Sequence, residues 1–144
     1  MITVKGTIST PLSPARAFAF LKEFENTSEW DPGTPVVEKR SIGPVAVGHR
    51  YHAEAEFRGK RQSIGYEVTE LREGHIKLRG ENKTLVSFDS IDVVPSGSGS
   101  DVTYTAEFQL NGFRRIAQPF LKPAFNTLRD PALNGLRDKL NSLV

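Results

Sequence analysis

Apolar and polar residues alternate from the start of the chain: Ile2, Val4 and Ile8 are interleaved with Thr3, Lys5, Thr7 and Ser9, up to Thr10-Pro11. A period of two is the pattern of a strand with one buried face. Ser13-Pro14 then marks a helix start, because a serine oxygen can bond a free N–H of the first turn and proline is tolerated where that N–H would go unused. The helix is predicted to run to about residue 24, with Ala17, Phe18, Leu21 and Phe24 on one side. Asn26 to Trp30 predicts a second short helical turn, broken by Asp31-Pro32-Gly33. From Pro35 the alternation returns and predicts strands over residues 36–42, 47–57, 61–71, 75–80, 85–94 and 101–110. The intervening Gly43-Pro44, Gly59, Glu73-Gly74, Glu81-Asn82 and Pro95 to Gly99 are short enough for antiparallel hairpins. Gly48, Gly59 and Gly65 are expected to bend the long strands and give the sheet a concave side.

Residues 113–144 change period. Ile116, Ala117, Phe120, Leu121, Ala124, Leu128, Leu136 and Leu140 recur at helical spacing, opposite Arg114, Arg115, Lys122, Arg129, Arg137 and Lys139. Pro119, Pro123 and Pro131 each lack an N–H and crowd the carbonyl four residues back. They predict a short helix over residues 114–121, then a longer one restarting near Pro123 and bent near Pro131. The order is one strand, two small helices, six strands and a long amphipathic helix. A sheet with one apolar face needs a cover, and this terminal helix is long enough to supply it, so the class is α+β with a seven-stranded antiparallel sheet around the C-terminal helix.

Composition narrows the function. A chain of 144 residues suits one domain, spanning residues 1–144. Nine Phe, three Tyr and one Trp supply aromatic material for a core or a pocket, and the absence of cysteine excludes disulfides, thiol nucleophiles and cysteine-bound zinc. A net charge of +2 is spread without a long run of one sign. The densest basic cluster, Arg58-Gly59-Lys60-Arg61, falls at a hairpin tip where charge is ordinarily solvated, so nucleic acid is not an expected partner. With no apolar run approaching the ~20 residues that span a bilayer and no leader pattern, no stable membrane insertion is expected and the cytoplasm is the expected compartment. A monomer or homodimer fits equally.

The opening strand with Thr10-Pro11-Leu12-Ser13-Pro14, the Phe-rich helix, Trp30-Asp31-Pro32, Val47-Gly48, Tyr66-Glu67-Val68-Thr69-Glu70, Val102-Thr103-Tyr104 and the terminal helix together resemble the START-like superfamily (SRPBCC) over essentially the whole chain. The resemblance is to its polyketide cyclase/dehydrase and lipid-transport branch. It implies a helix-grip fold enclosing a hydrophobic cavity between the curved sheet and the last helix, and a small hydrophobic partner such as a lipid, sterol or polyketide; some members are enzymes. The three prolines depart from the unbroken terminal helix of that pattern.

Tyr51, Tyr66 and Tyr104 fall on the inward parity of their strands, where rings with hydroxyls suit either a packed core or a largely apolar ligand with a few oxygens. His49 shares the parity of Tyr51, Ala53 and Phe57 and reads as a wall residue, with catalysis the alternative. Its partner in spacing, His52, points the other way along a strand, which argues against a metal site. Trp30 can stand at a cavity rim or staple the small helix to the sheet. Phe108, Ile116 and Phe120 complete the candidate ligand-binding set, and Phe113, Ile116 and Phe120 are candidate gate residues beside the entrance. His75, beside a turn, is expected exposed, and Asp31 to cap a turn. Asp89 shares the parity of Ser87 and Ile91; its orientation is open, with solvent the expected side, and a buried position would make it a conceivable general acid. No serine elbow, His–carboxylate pair or acidic pair is recognisable, so no residue is assigned a catalytic role and no cofactor or metal is implied. Ligand binding is the expected function, a cyclase or dehydratase using His49 or a tyrosine is the enzyme alternative, and a protein-interaction module with a filled interior is the third.

Overall fold

The computed structural model describes residues Met1–Val144. Strand β1 (Ile2–Thr10) leads to helix α1 (Pro14–Leu21) and a 3₁₀ helix (Phe24–Glu29). Then follow β2 (Val36–Lys39), β3 (Arg50–Phe57), β4 (Lys60–Arg72), β5 (His75–Glu81), β6 (Leu85–Ser96) and β7 (Gly99–Leu110). A second 3₁₀ helix (Gly112–Ala117) precedes α2 (Gln118–Asn126) and α3 (Arg129–Ser142). The strands form one antiparallel sheet in the order β1-β7-β6-β5-β4-β3-β2. The chain after β2 is a meander whose last strand pairs with the first, so both short helices lie in one crossover.

The period-two reading holds in every strand but β2, which is expected over residues 36–42, ends at Lys39 and buries none of its residues. In β1, Ile2, Val4, Ile8 and Thr10 are buried and their neighbours are not. In β3 to β7 the same parity buries Tyr51, Ala53, Ile64, Tyr66, Val68, Ile76, Leu78, Leu85, Ile91, Val93, Val102, Ala106 and Leu110. The antiparallel register lays these out in rows: Tyr51 faces Tyr66, Tyr66 faces Gly80, Gly80 faces Ser87, and Ser87 faces Phe108. The next row runs Val68, Leu78, Asp89, Ala106 and Val4. Curvature arises partly where expected and partly not. Gly48 and Gly59 have φ of 92° and 76° and form turns, but the strand irregularity lies between Val68 and Glu70, where the register shifts. Strand β3 also starts at Arg50 and not at residue 47, because Gly48 and His49 are taken up by the turn leading into it, with the His49 N–H bonded to the Ala46 carbonyl.

The terminal cover is two helices set end to end, and the interruption is not where the expected helix boundary placed it. Helix α2 continues through Pro123, and the chain is broken at Thr127-Leu128, where the N–H groups bond three residues back to Ala124 and Phe125. Pro119 and Pro131 lie in the first turns of α2 and α3, where a missing N–H leaves no bond unmade. The Pro131 ring disfavours a helical carbonyl four residues earlier, at Thr127, which accounts for a break one turn ahead of the proline. Helix α3 buries Ala132, Leu133, Leu136 and Leu140 over the β1 side of the sheet. Its close seat depends on two glycines: a Cβ at Gly6 would overlap the Leu133 side chain, and one at Gly135 would overlap the Trp30 carbonyl. The far end of α3 is tied down by polar bonds from Thr10 Oγ1 to Asn141 Oδ1 at 2.9 Å and from the Arg16 guanidinium to the Leu143 carbonyl.

Candidate functional site

Between the concave face and the α2–α3 cover lies a cavity of about 260 Å³. Its walls are Val4, Ala106, Phe108 and Leu110 from β1 and β7, Leu85 and Asp89 from β6, Ile64 and Tyr66 from β4, and Ala55 and Phe57 from β3. Leu121, Phe125, Leu128 and Ala132 close it from above. Phe125 is the keystone of that cover, stacked on Phe57 at 4.7 Å and tilted against Phe108 at 4.9 Å between ring centres. Fourteen of the 21 lining residues are hydrophobic and none is Lys or Arg, so any charge on the wall must be borne without a cation.

The polar wall groups are grouped rather than scattered. Asp89 faces Ala106 across β6–β7, which sets it diagonal to Tyr104 on the same concave face, while Ser87 is two residues away on its own strand. Ser87 Oγ donates to Asp89 Oδ1 at 2.7 Å. Burial pushes the Asp89 carboxyl up from 3.8 to about 7; the Ser87 bond works against this and the charge of Asp31 adds to it. Its remaining accessible surface, like that of Tyr104, faces the cavity. The Tyr66 and Tyr104 hydroxyls are held well above their ordinary value, by desolvation first and then by the nearby Asp89, so both remain proton donors. Asp31 is a loop carboxylate at the same wall. Its oxygens accept from the Gly33 N–H and the Thr34 hydroxyl, each at 2.9 Å, and burial again raises its pKa against those two bonds. The turn-capping role expected of Asp31 is therefore present, at a position that also touches the cavity.

Glycine shapes this wall. Gly80 separates Tyr66 from Ser87 in the row, and a Cβ there would come within 2.5 Å of the Tyr66 ring. The tyrosine lies over the space a side chain on β5 would fill. Trp30 stands behind the neighbouring tyrosine, edge-on to Tyr104 with ring centres 5.5 Å apart, and is buried.

The structure thus places Tyr66, Tyr104 and Phe108 on the cavity wall. Trp30, His49 and Tyr51 are not on it. Trp30 supports Tyr104 from a packed layer. Tyr51 is fully buried against Phe24, which also packs on Tyr66 at 4.8 Å, and its hydroxyl is held up at about 12 by burial and the charges of Glu25 and Glu23. His49 belongs to the turn before β3, so strand parity does not govern where its ring goes. Ile116 and Phe120 lie outside, 78% and 81% exposed, as does Phe113 at 78%. Leu110, Thr84 and Leu121 form the lip between that outer patch and the cavity.

Two further residues depart from their sequence reading. Asp89 faces inward and not toward solvent: it alternates with Ser87 and Ile91, and β6 keeps an unbroken register with β5 and β7, so no bulge turns its face outward. His75 is only 12% exposed on the convex side, its Nδ1 at 2.6 Å from Asp92 Oδ1 and its Nε2 at 2.9 Å from Glu70 Oε1. The bond to His75 draws the Glu70 carboxyl below its usual range. Glu70 follows the strand irregularity, which no sequence period marks. No group of three His, Cys, Asp or Glu is arranged to hold a metal ion, and no helix is long and apolar enough to cross a membrane. The filled interior required by an interaction module is not what the sheet and helices enclose.

A curved antiparallel sheet gripping C-terminal helices around an apolar cavity defines the START-like helix-grip class. The chain belongs to the polyketide cyclase / dehydrase and lipid transport family, whose model matches residues 1–141. Similar solved structures include a START superfamily protein from Mycobacterium smegmatis, with 13% identity, a TM-score of 0.83 and all of both chains covered. The TTHA0849 protein of Thermus thermophilus has 16% identity and a TM-score of 0.79, with 98% of each chain covered. The Zhui aromatase/cyclase from Streptomyces sp. R1128 has 12% identity and a TM-score of 0.78, covering 96% of this chain and 92% of its own. At these identities the likeness is one of fold. No curated protein matches the chain in sequence.

Proposed function

We propose that the protein binds a compact, predominantly apolar molecule carrying one or more oxygens, held in the cavity between the sheet and α2–α3. The observation that carries this reading is the composition of the wall: an apolar enclosure of about 260 Å³ with Tyr66, Tyr104 and Asp89 gathered at one place. A volume near the lower end of small-molecule pockets favours a ligand of one to three rings or a single chain over a two-chain lipid. Two tyrosine hydroxyls and a carboxyl that retains its proton near neutrality can all donate to a carbonyl or phenolic oxygen.

The second reading makes the same cavity a cyclase- or dehydratase-type active site. It is favoured by Asp89, whose carboxyl near 7 populates both proton states and can serve as acid or base beside a substrate held in one folded conformation. His49, off the cavity wall, is not part of it. A single set of measurements addresses both. A hydrophobic fluorophore should bind the cavity and be displaced by small aromatic ketones; Tyr104→Phe should weaken the ketone by roughly five- to tenfold, the worth of one hydrogen bond, and leave the parent hydrocarbon unaffected. Absence of displaceable binding, or equal losses for ketone and hydrocarbon, would count against the binding reading. Asp89→Asn keeps the shape and removes the proton, so binding with lost turnover of a cyclisable polyketone supports the enzyme reading, and unchanged turnover rejects it.

A further inference from the structure

The lip of the cavity carries a surface that ligand binding does not explain. Phe113, Ile116 and Phe120, spaced by three and four, put large apolar side chains into solvent at 78%, 78% and 81% exposure. No residue of the 3₁₀ helix Gly112–Ala117 is buried. The patch is continuous with the cavity, since Thr84, Leu110 and Leu121 border both. Around it basic residues predominate, and the nearby Glu56 and Glu81 each already meet an arginine, Arg61 and Arg79. Arg114, Arg115 and Lys122 lie in the same segment, Lys83 on the adjoining turn, and Arg58 and Lys60 on the β3–β4 hairpin. The turn is held to the segment by Asn111 Nδ2, which donates to the Asn82 carbonyl at 3.2 Å, and Asn82 in turn donates to Gln62 and the Ser63 carbonyl at the base of the hairpin. None of these six basic residues is in an ion pair, whereas Arg40, Arg50, Arg72, Arg79 and Lys139 elsewhere each meet a carboxylate. No acidic residue occurs between Glu107 and Asp130.

We infer that this face docks on the surface of an anionic lipid bilayer, with Phe113, Ile116 and Phe120 entering the headgroup boundary and the basic residues meeting lipid phosphates. Exposed aromatic and aliphatic side chains flanked by Lys and Arg on a short helical segment are the arrangement of an interfacial anchor. The charge complementarity selects the anionic surface. The position matters too: an apolar ligand is carried in a bilayer at higher concentration than in water, and a mouth applied to the membrane lets it enter without crossing solvent. The docking itself needs only the surface, and the passage of ligand rests on the binding reading above.

The test is flotation of the full chain with vesicles of phosphatidylcholine alone and with ~30% phosphatidylserine. Flotation with the anionic vesicles only, reduced at high salt, is the expected result. A K83Q/R114Q/K122Q variant, which spares the bond from Arg115 Nε to the Leu110 carbonyl at the lip, should bind about 10²-fold more weakly, since each surface charge is worth roughly fivefold. Phe113→Ser with Phe120→Ser should abolish flotation, while both variants, altered only at exposed positions, keep the fluorophore affinity of the cavity in solution. Equal flotation with neutral vesicles, none with either, or no response to the basic substitutions would overturn the inference. So would a dimer in sedimentation that the Phe113/Phe120 variant dissociates, because the patch would then be covered by a second copy. Loss of cavity binding by the unaltered protein would instead remove the ligand-passage reading and leave docking standing.

Discussion

The Asp89 carboxyl sits on an apolar wall with Tyr66, Tyr104, Ser87 and Asp31 around it and no cation to offset its charge. That environment makes it a factor in stability as well as in chemistry. Its folded value, near 7, lies above the unfolded one near 3.8, so between those values the native state holds a proton that the unfolded chain has lost. Stability conferred by keeping Asp89 neutral is thus complete below pH ~4, declines through the interval and is lost above pH ~7, by at most ~4 kcal/mol. Asp31, raised by the same burial, contributes in the same direction. Asp89→Asn should therefore match the parent in thermal unfolding near pH 4 and exceed it increasingly toward pH 8. Parallel melting curves across that range would mean that the carboxyl is solvated. Which face Asp89 occupied was half legible from Ser87, Asp89 and Ile91; that a carboxylate is tolerated there was not, because the tyrosines near it come from β4 and β7 and only the folded sheet gathers them beside the Ser87–Asp89 pair.

At the scale of elements, alternation set the strands and their pairing order, since every turn between β3 and β7 is short. Periodicity was less informative for the cover. Ile116 and Phe120 keep helical spacing with Leu121, yet the first two face water and the third faces the cavity. Spacing identifies a face, and only packing decides which side of the chain that face meets. Gly135 illustrates the same limit. In an isolated helix, replacing glycine by alanine stabilises by about 1 kcal/mol. Here a Cβ would overlap the backbone carbonyl of Trp30, which cannot rotate away as a side chain could. Gly135→Ala should therefore lower the urea midpoint, by an amount equivalent to roughly 1–3 kcal/mol, the usual cost of overpacking. A raised midpoint would show that α3 can lift from the 3₁₀ segment beneath it without loss.

For the whole molecule, the cavity lies where the cover leaves the concave face open: α3 packs on β1, the first 3₁₀ helix on β2 and α1 against β6 and β7, while Phe125 of α2 bridges Phe57 of β3 and Phe108 of β7 over a wall that includes the small Ala55 and Ala106. Sequence shows the small residues but not the gap, because a void is the difference between the volume a backbone encloses and the volume its side chains fill. An unfilled apolar void forfeits packing energy on the order of 24 cal/mol per Å³, so the molecule carries a stability deficit that a ligand can relieve. Ala106 is the position at which to test this. It is 1% exposed, lies among the lining residues between Asp89 and Val4 in register, and shares the concave parity of Tyr104 and Phe108. Ala106→Leu should raise unfolding stability by about 1–2 kcal/mol by filling space already present, and weaken fluorophore binding at least ~10-fold by occupying it. Stability and affinity are expected to move in opposite directions because both draw on the same volume. A gain in stability with affinity unchanged would place the fluorophore outside the cavity, and a loss of stability would mean that the wall is already packed at Ala106.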